Sequence, residues 1–493
     1  MARSKTYSEA ISLLNTCQSN AATIEAIRKS GGRMNEYAVA EMHDYLRKIG
    51  YKPDDLNQLN VVHITGTKGK GSTSAFTERI LRTHIPGGKI GLYTSPHLCA
   101  VRERIRINGE PISEEAFAKY FFEVWEKLEN DPKTLTPQTP QFPIYFRLLT
   151  LLAFHVFISE RITATVLEVG IGGLYDSTNI VPKPIVTGIT SLGLDHTAVL
   201  GNTIEEIARN KAGIYKKDVP ALSVVQDQGG EVLKEVAEKN GAPFEVIPTI
   251  SPTPLGLPGA HQLINASLAV ALSSKFLSIQ KYPFQAPTQS STSTSNLTSG
   301  IPESFVKPLA ETRWPGRCQQ VQQGEITWLF DGAHTIESLR SCAEWAFDGD
   351  RKPNVLIFNC SGGRAGESLL NELLATGSKK QGMSKEELGR QFDSIIFCTN
   401  VTYTDGHFKS DLDAKAIDPN DLSHLITQNA LRDSWIKLNP SFDPARVHAV
   451  ASIQHAINIV RGLGEKQVLV AGSLHLVGGV MEVAGLQDAL SMV

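Results

Sequence analysis

The sequence predicts an α/β protein built from two parallel-sheet domains, the second smaller and Rossmann-like. Three observations carry this reading. Short apolar runs end in glycine-rich turns, helical patterns separate them, and one Ser/Thr-rich stretch interrupts the alternation. At 493 residues the chain also exceeds one ordinary core, so two domains are the default.

The first unit begins with VVHIT (61–65), a β-branched run that enters TGTKGKGS and then STSAFTERILR with helical spacing. That is strand, loop, helix. KIGLYTS (89–95), ATVLEV (164–169) and IVTGITSL (185–192) are further strands, the last two ending in GIGG and GLDH. Helical patterns at 113–129 and 146–160 lie between them. The longest apolar run, LLTLLAFHVFI at 148–158, falls short of the about 20 residues a bilayer span needs and is read as a buried helix. HQLINASLA (261–269) reads as an ordinary helix with Asn265 at a cap-like or exposed position. QAPTQSSTSTSNLTSGIP (285–302) holds too few apolar groups to offset the entropy of ordering and reads as a flexible linker. Domains of 1–300 and 303–493 follow. Beyond the linker the alternation resumes at ITWLFDGAH (326–334), NVLIFNCSGG (354–363), SIIFCTN (394–400) and QVLVAGSLHLVGG (467–479), while parts of 364–450 carry no motif.

Composition removes several function classes. A net charge of 48 − 51 = −3 gives no electrostatic case for nucleic acid. Six cysteines without C-x-x-C spacing fit reduced thiols in a cytosol-like compartment, not a disulfide framework or a zinc site. The opening residues lack the apolar core of a secretory signal.

In parallel sheets ligands bind beyond the carboxyl ends of the strands, and the chemically useful residues collect there. Gly66, Thr67, Lys68, Gly69, Lys70, Gly71 and Ser72 form a loop that departs from G-x-x-x-x-G-K-[ST], because Gly71 separates the lysine from the hydroxyl. It is either a phosphate cradle at a helix N-terminus or a glycine-rich turn with solvated lysines. Glu168 ends a buried strand, where a carboxylate needs a partner: Mg²⁺ beside a phosphate, an arginine, or a helix it caps. Asp195 and His196 end another strand, His196 being a structural residue or a second metal or phosphate contact. Lys211, in a weakly amphipathic helix, reads on its own as a solvated lysine. From the second domain, Arg317 follows a Pro-Gly turn, and Asp331 and His334 end a strand. They suit phosphate and ribose or metal contacts across an interdomain cleft.

Together TGTKGKGST, YTSPHL, RERIRING, LEVGIGGLYDSTN, SLGLDHTAVLG, KAGIYK, HQLINASLA, WPGR, LFDGAH and AGSLHLVGG resemble the folylpolyglutamate synthases of the Mur-ligase superfamily, in order from about residue 60 to 480. The resemblance implies an N-terminal P-loop-containing ATPase domain. It implies a ligase that joins L-glutamate to a reduced folate using ATP, with dihydrofolate synthase or a bifunctional enzyme as the alternative. It further implies that the 66–72 loop, Asn265, Arg317, Asp331 and His334 bind ATP. Ser95 and Glu168 would hold one Mg²⁺, and Glu168 with His196 a second, with room for a monovalent cation. Lys211 becomes a lysine open to carbamylation, the opposite of its solvated reading. His97 and Tyr145 fall where the folate site is expected, His97 in a segment read as flexible. A cytoplasmic monomer, with a mitochondrial form in some relatives, completes the expectation.

Overall fold

The computed structural model of the chain describes residues 5–18, 37–284, 300–349, 351–360, 366–405 and 424–493. Eight strands form the first sheet: β1 (Val61–Thr65), β2 (Ile90–Tyr93), β3 (Ile105–Ile107), β4 (Glu110–Pro111), β5 (Ala164–Glu168), β6 (Val186–Ile189), β7 (Ala221–Val224) and β8 (Phe244–Ile247). Their order is β4-β3-β2-β5-β1-β6-β7-β8. β1 pairs in parallel with both β5 and β6, and antiparallel pairing is confined to the β2–β3–β4 edge. Every residue of β1, β2, β5 and β6 is buried, so these strands read as unbroken apolar runs rather than alternating ones.

Each face of β1 feeds a different core, as strand pleating dictates. Val62 and Ile64 join Phe76 and Ile80 of the helix Lys70–His84 and Leu268 and Leu272 of the helix His261–Ile279. Val61 joins Phe121 of the helix Glu114–Asn130 and Leu152 and Phe154 of the helix Tyr145–Ser159. The helix His261–Ile279 is long and apolar enough to cross a membrane, but twelve of its residues are buried inside the protein. The chain leaves β1 toward one edge and later fills the other with β6, β7 and β8. The carboxyl end of β1 is therefore a topological switch point, where open α/β sheets bind ligands.

The second sheet holds β9 (Gln319–Gln323), β10 (Ile326–Phe330), β11 (Val355–Phe358), β12 (Ser394–Cys398), β13 (Val447–Val450) and β14 (Lys466–Ala471), in the order β13-β12-β11-β14-β10-β9. All its pairings are parallel except β9 with β10.

Three expectations need correction. The helix Glu303–Glu311 follows the linker, yet Phe305 and Leu309 lie in the first core. Its apolar face finds its partner on the first layer, so the crossing to the second sheet falls between Thr312 and Cys318 rather than at 300–303. Asn265 is neither a cap nor exposed; it is buried inside its helix. The helix after the loop begins at Lys70, two residues before Ser72. Residues 285–299 of the expected linker lie outside the described residues.

Candidate active site

All three glycines of the 66–72 loop are closely approached, Gly66 by the Thr190 side chain. Gly69 takes a left-handed φ of 90° as the cap of the helix Lys70–His84, and a Cβ there would strike the carboxamide of Asn265. Gly71 has ordinary helical geometry, and the three atoms nearest a Cβ placed there all belong to Trp314. The backbone N–H groups of Thr67 and Lys68 are already bound to the Ser191 carbonyl, at 2.9 and 3.2 Å. The donors left for an anion are therefore those of the helix's first turn, where Lys70, Gly71 and Ser72 lack an intrahelical acceptor. Ser72 is tied to the apolar helix: Gln262 Nε2 lies 3.4 Å from its Oγ, and Asn265 Nδ2 donates to Gln262 Oε1 at 2.9 Å. Lys68 instead reaches outward, with Nζ 3.5 Å from Glu337 of the second unit. Both side chains are exposed, so the pair adds little stability.

Charge concentrates beneath this loop. Lys70 Nζ donates to the Gly66 carbonyl at 3.0 Å and Lys211 Nζ donates to the same oxygen at 2.8 Å. Lys211 is 3% exposed, which corrects its reading as a solvated lysine. A Thr203–Glu206 capping box starts the helix Ile204–Lys211, which delivers the lysine inward at its last residue. Burial, reinforced by the neighbouring Lys70, pushes Lys211 down to about 7. Glu168 ends β5 and is 3% exposed; burial raises its carboxyl to about 7, against the pull of Lys70, a Ser95 backbone N–H, Arg317 and Arg104. Its Oε2 is buried with no hydrogen-bond partner. An orphaned carboxylate oxygen beside Ser95 suits a hard cation. Among the described residues no three His, Cys, Asp or Glu side chains cluster to hold a metal. Such a cation would draw its remaining ligands from phosphate and water, as Mg²⁺ does.

The residues of the second unit meet this centre through a turn. Arg317 N–H closes the W-P-G-R turn on the Trp314 carbonyl at 3.1 Å, and Gly332 N–H donates to Gly316 O at 3.0 Å. Asp331 is turned inward: Oδ2 accepts from the Cys318 N–H and Oδ1 from the Ala333 N–H, both at 2.8 Å. It therefore orients the Arg317–Cys318 backbone. His334 Nδ1 donates to Gly332 O at 2.9 Å. His97 is buried, not in a loose segment, and accepts from Arg104 Nε at 2.9 Å; the Arg104 guanidinium lies 5.6 Å from the Tyr145 ring centre.

His196 sits at a left-handed φ of 49°, half exposed, with Nε2 3.8 Å from Asp195 Oδ2. Sequence reasoning missed Arg104, Gln262 and Trp314. All three lie inside the quoted motifs RERIRING, HQLINASLA and WPGR; in the last two the signal was a polar or aromatic residue three positions before the one chosen, and in RERIRING no residue was chosen.

No family model matches the chain. A folylpolyglutamate synthase of Saccharomyces cerevisiae (strain FostersO) is 44% identical over 496 residues, covering 97% of this chain and 87% of the relative. Among solved structures, the apo form of L. casei FPGS superposes with a TM-score of 0.68 at 20% identity, covering 98% of this chain and 100% of its own. Mycobacterium tuberculosis folylpolyglutamate synthase complexed with ADP and AMPPCP gives 0.66 at 22% identity, covering 91% and 95%. E. coli FolC in complex with DHPP and ADP gives 0.60 at 22%, covering 92% and 93%.

Proposed function

Because this chain belongs to the folylpolyglutamate synthase family, we propose that it adds L-glutamate by γ-linked amide bonds to a reduced folate and to folylpolyglutamates. Each addition converts one ATP to ADP and phosphate. The observation that carries the assignment to this cleft is Glu168, whose buried, unpartnered oxygen lies in the field of Lys70, Arg317 and Arg104.

A carboxylate cannot acylate an amine directly, because its leaving group would be oxide. Transfer of the γ-phosphoryl group to the folate γ-carboxylate gives an acyl phosphate. The glutamate amine then attacks the carbonyl carbon, loses a proton, and phosphate departs. The first-turn N–H groups of Lys70, Gly71 and Ser72 hold the nucleotide phosphates, and Lys70 moves from the Gly66 carbonyl to the group in transfer. Arg317 approaches the same phosphates from the second unit. Glu168 and Ser95 would hold Mg²⁺, which would neutralise charge on the phosphate oxygens. Glu168 with His196 would hold a second ion. Lys211, with about half of its amine neutral at pH 7, is open to carbamylation and would then carry negative charge beside the metal. Asn265 and His334 line the path to adenine and ribose. Arg104, His97 and Tyr145 form the folate side.

The same reading includes a cytosolic location, in keeping with six cysteines that form no disulfide, and a monomeric state. No observation favours the dihydrofolate synthase alternative. The test is ADP release with each substrate left out in turn: the assignment requires release that depends on both folate and glutamate. Release from ATP alone contradicts it.

A further inference from the structure

We infer that Trp314 is a positioning residue for the phosphate loop, and that Gly71 is glycine in order to admit its indole. The inference rests on the ATP-binding reading above.

Gly71 is the second residue of the helix Lys70–His84 and does not take a positive φ. Alanine would suit that backbone, and glycine within a helix costs about 0.5–1 kcal/mol relative to it. Some contact must therefore forbid a side chain. A Cβ on Gly71 would lie 3.2 Å from Trp314 Nε1 and 3.4 Å from both Cε2 and Cζ2. The first is tighter than an ordinary contact and the other two lie at its edge, so relieving it means moving the indole by a few tenths of an ångström.

The indole is not free to yield. The Arg106 guanidinium lies 5.8 Å from its ring centre, within cation–π range. Arg106 is itself 2% exposed, and its Nη1 donates to Gly109 O at 3.2 Å and to Leu490 O at 2.7 Å. Two separate chain segments thus fix the guanidinium that supports the ring. On the other side, Trp314 belongs to the turn that carries Arg317, and Gly316 of that turn packs on Leu98. Indole and Arg317 belong to one hydrogen-bonded turn. The separation between Gly71 and Trp314 consequently sets the separation between the phosphate loop and the arginine that meets it. A displacement of about 1 Å in such a constellation costs about a hundredfold in rate.

The test is a double-substitution cycle with Gly71→Ala and Trp314→Leu, plus Trp314→Phe as the conservative variant. ADP affinity by calorimetry, kcat and KM by ADP release, and a thermal melt are read for each. Gly71→Ala is expected to lower ADP affinity and kcat at least fivefold with its melt unchanged. Trp314→Leu is expected to lower kcat about tenfold with little effect on the KM for glutamate, and Trp314→Phe to stay within threefold of wild type. The double variant should lose less than the product of the two single losses, because the added methyl no longer meets an indole. Multiplicative effects, or a normal Gly71→Ala enzyme, would overturn the inference while leaving the ligase assignment standing. A wild-type chain that binds no ADP would overturn both.

Discussion

Glu168 and Lys211 are each unfavourable where they stand, and their titration makes that measurable. Burial lifts Glu168 from 4.5 to about 7. The folded protein then holds this proton more tightly than the unfolded chain, so stability from the group declines as pH rises from 4.5 to 7 and is flat above. Burial and Lys70 lower Lys211 from 10.5 to about 7. Its contribution is present above 10.5 and lost as pH falls toward 7. The nucleotide-free protein therefore carries both penalties at pH 7, and each pKa unit is worth about 1.4 kcal/mol. Glu168→Gln or Lys211→Met should raise its stability at pH 7 by roughly 3 kcal/mol in urea unfolding, through the relief of those penalties. Lys70→Ala and Glu168→Ala should abolish turnover while leaving the fold intact. Either variant with near-normal activity contradicts the assignment. At this scale the sequence was most informative about strand-end residues. Glu168 could be chosen because a charge following a buried run must be answered by something, and Lys70 because it stands in a glycine-rich loop between strand and helix. Asn265 was misjudged because a polar residue in an apolar helix is explained only by the distant glycine it touches.

Among the elements, β1, β2, β5, β6, β10, β11, β12 and β14 were legible as apolar runs ending in turns, since both faces of each are covered. β9 was not: its sequence is QQVQQ and it pairs antiparallel at an edge. β8 was obscured because most of its residues are only partly buried or exposed. The helix Glu303–Glu311 was assigned to the wrong side of the boundary, since a sequence shows an apolar face but not which layer receives it. Phe305 is fully buried in the first core. Phe305→Ala should cost about 3–5 kcal/mol in equilibrium unfolding, the range for removing a buried phenylalanine. A loss under 1 kcal/mol by the same measurement would show the helix to be loosely attached. Gly69→Ala should abolish nucleotide binding, since it combines a left-handed φ with overlap on Asn265.

Over the whole molecule, the phosphate loop and Glu168 belong to one sheet, while Arg317, Asp331 and His334 belong to the other. The proposed reaction uses both, and because water must be kept from an acyl phosphate, we propose closure of the two units as the gate. The exposed Lys68–Glu337 pair spans that cleft but contributes little. Lys68→Ala should change kcat by less than about threefold, with a similarly small response to added salt. The central claim is repeated γ-glutamylation of a folate at this cleft. Mass spectrometry of a reaction containing the protein, ATP, Mg²⁺, L-glutamate and tetrahydrofolate tests it most directly. The predicted result is a ladder of successive glutamyl additions that disappears with Lys70→Ala. Tetrahydrofolate left unextended, with a single addition to dihydropteroate in its place, would contradict it.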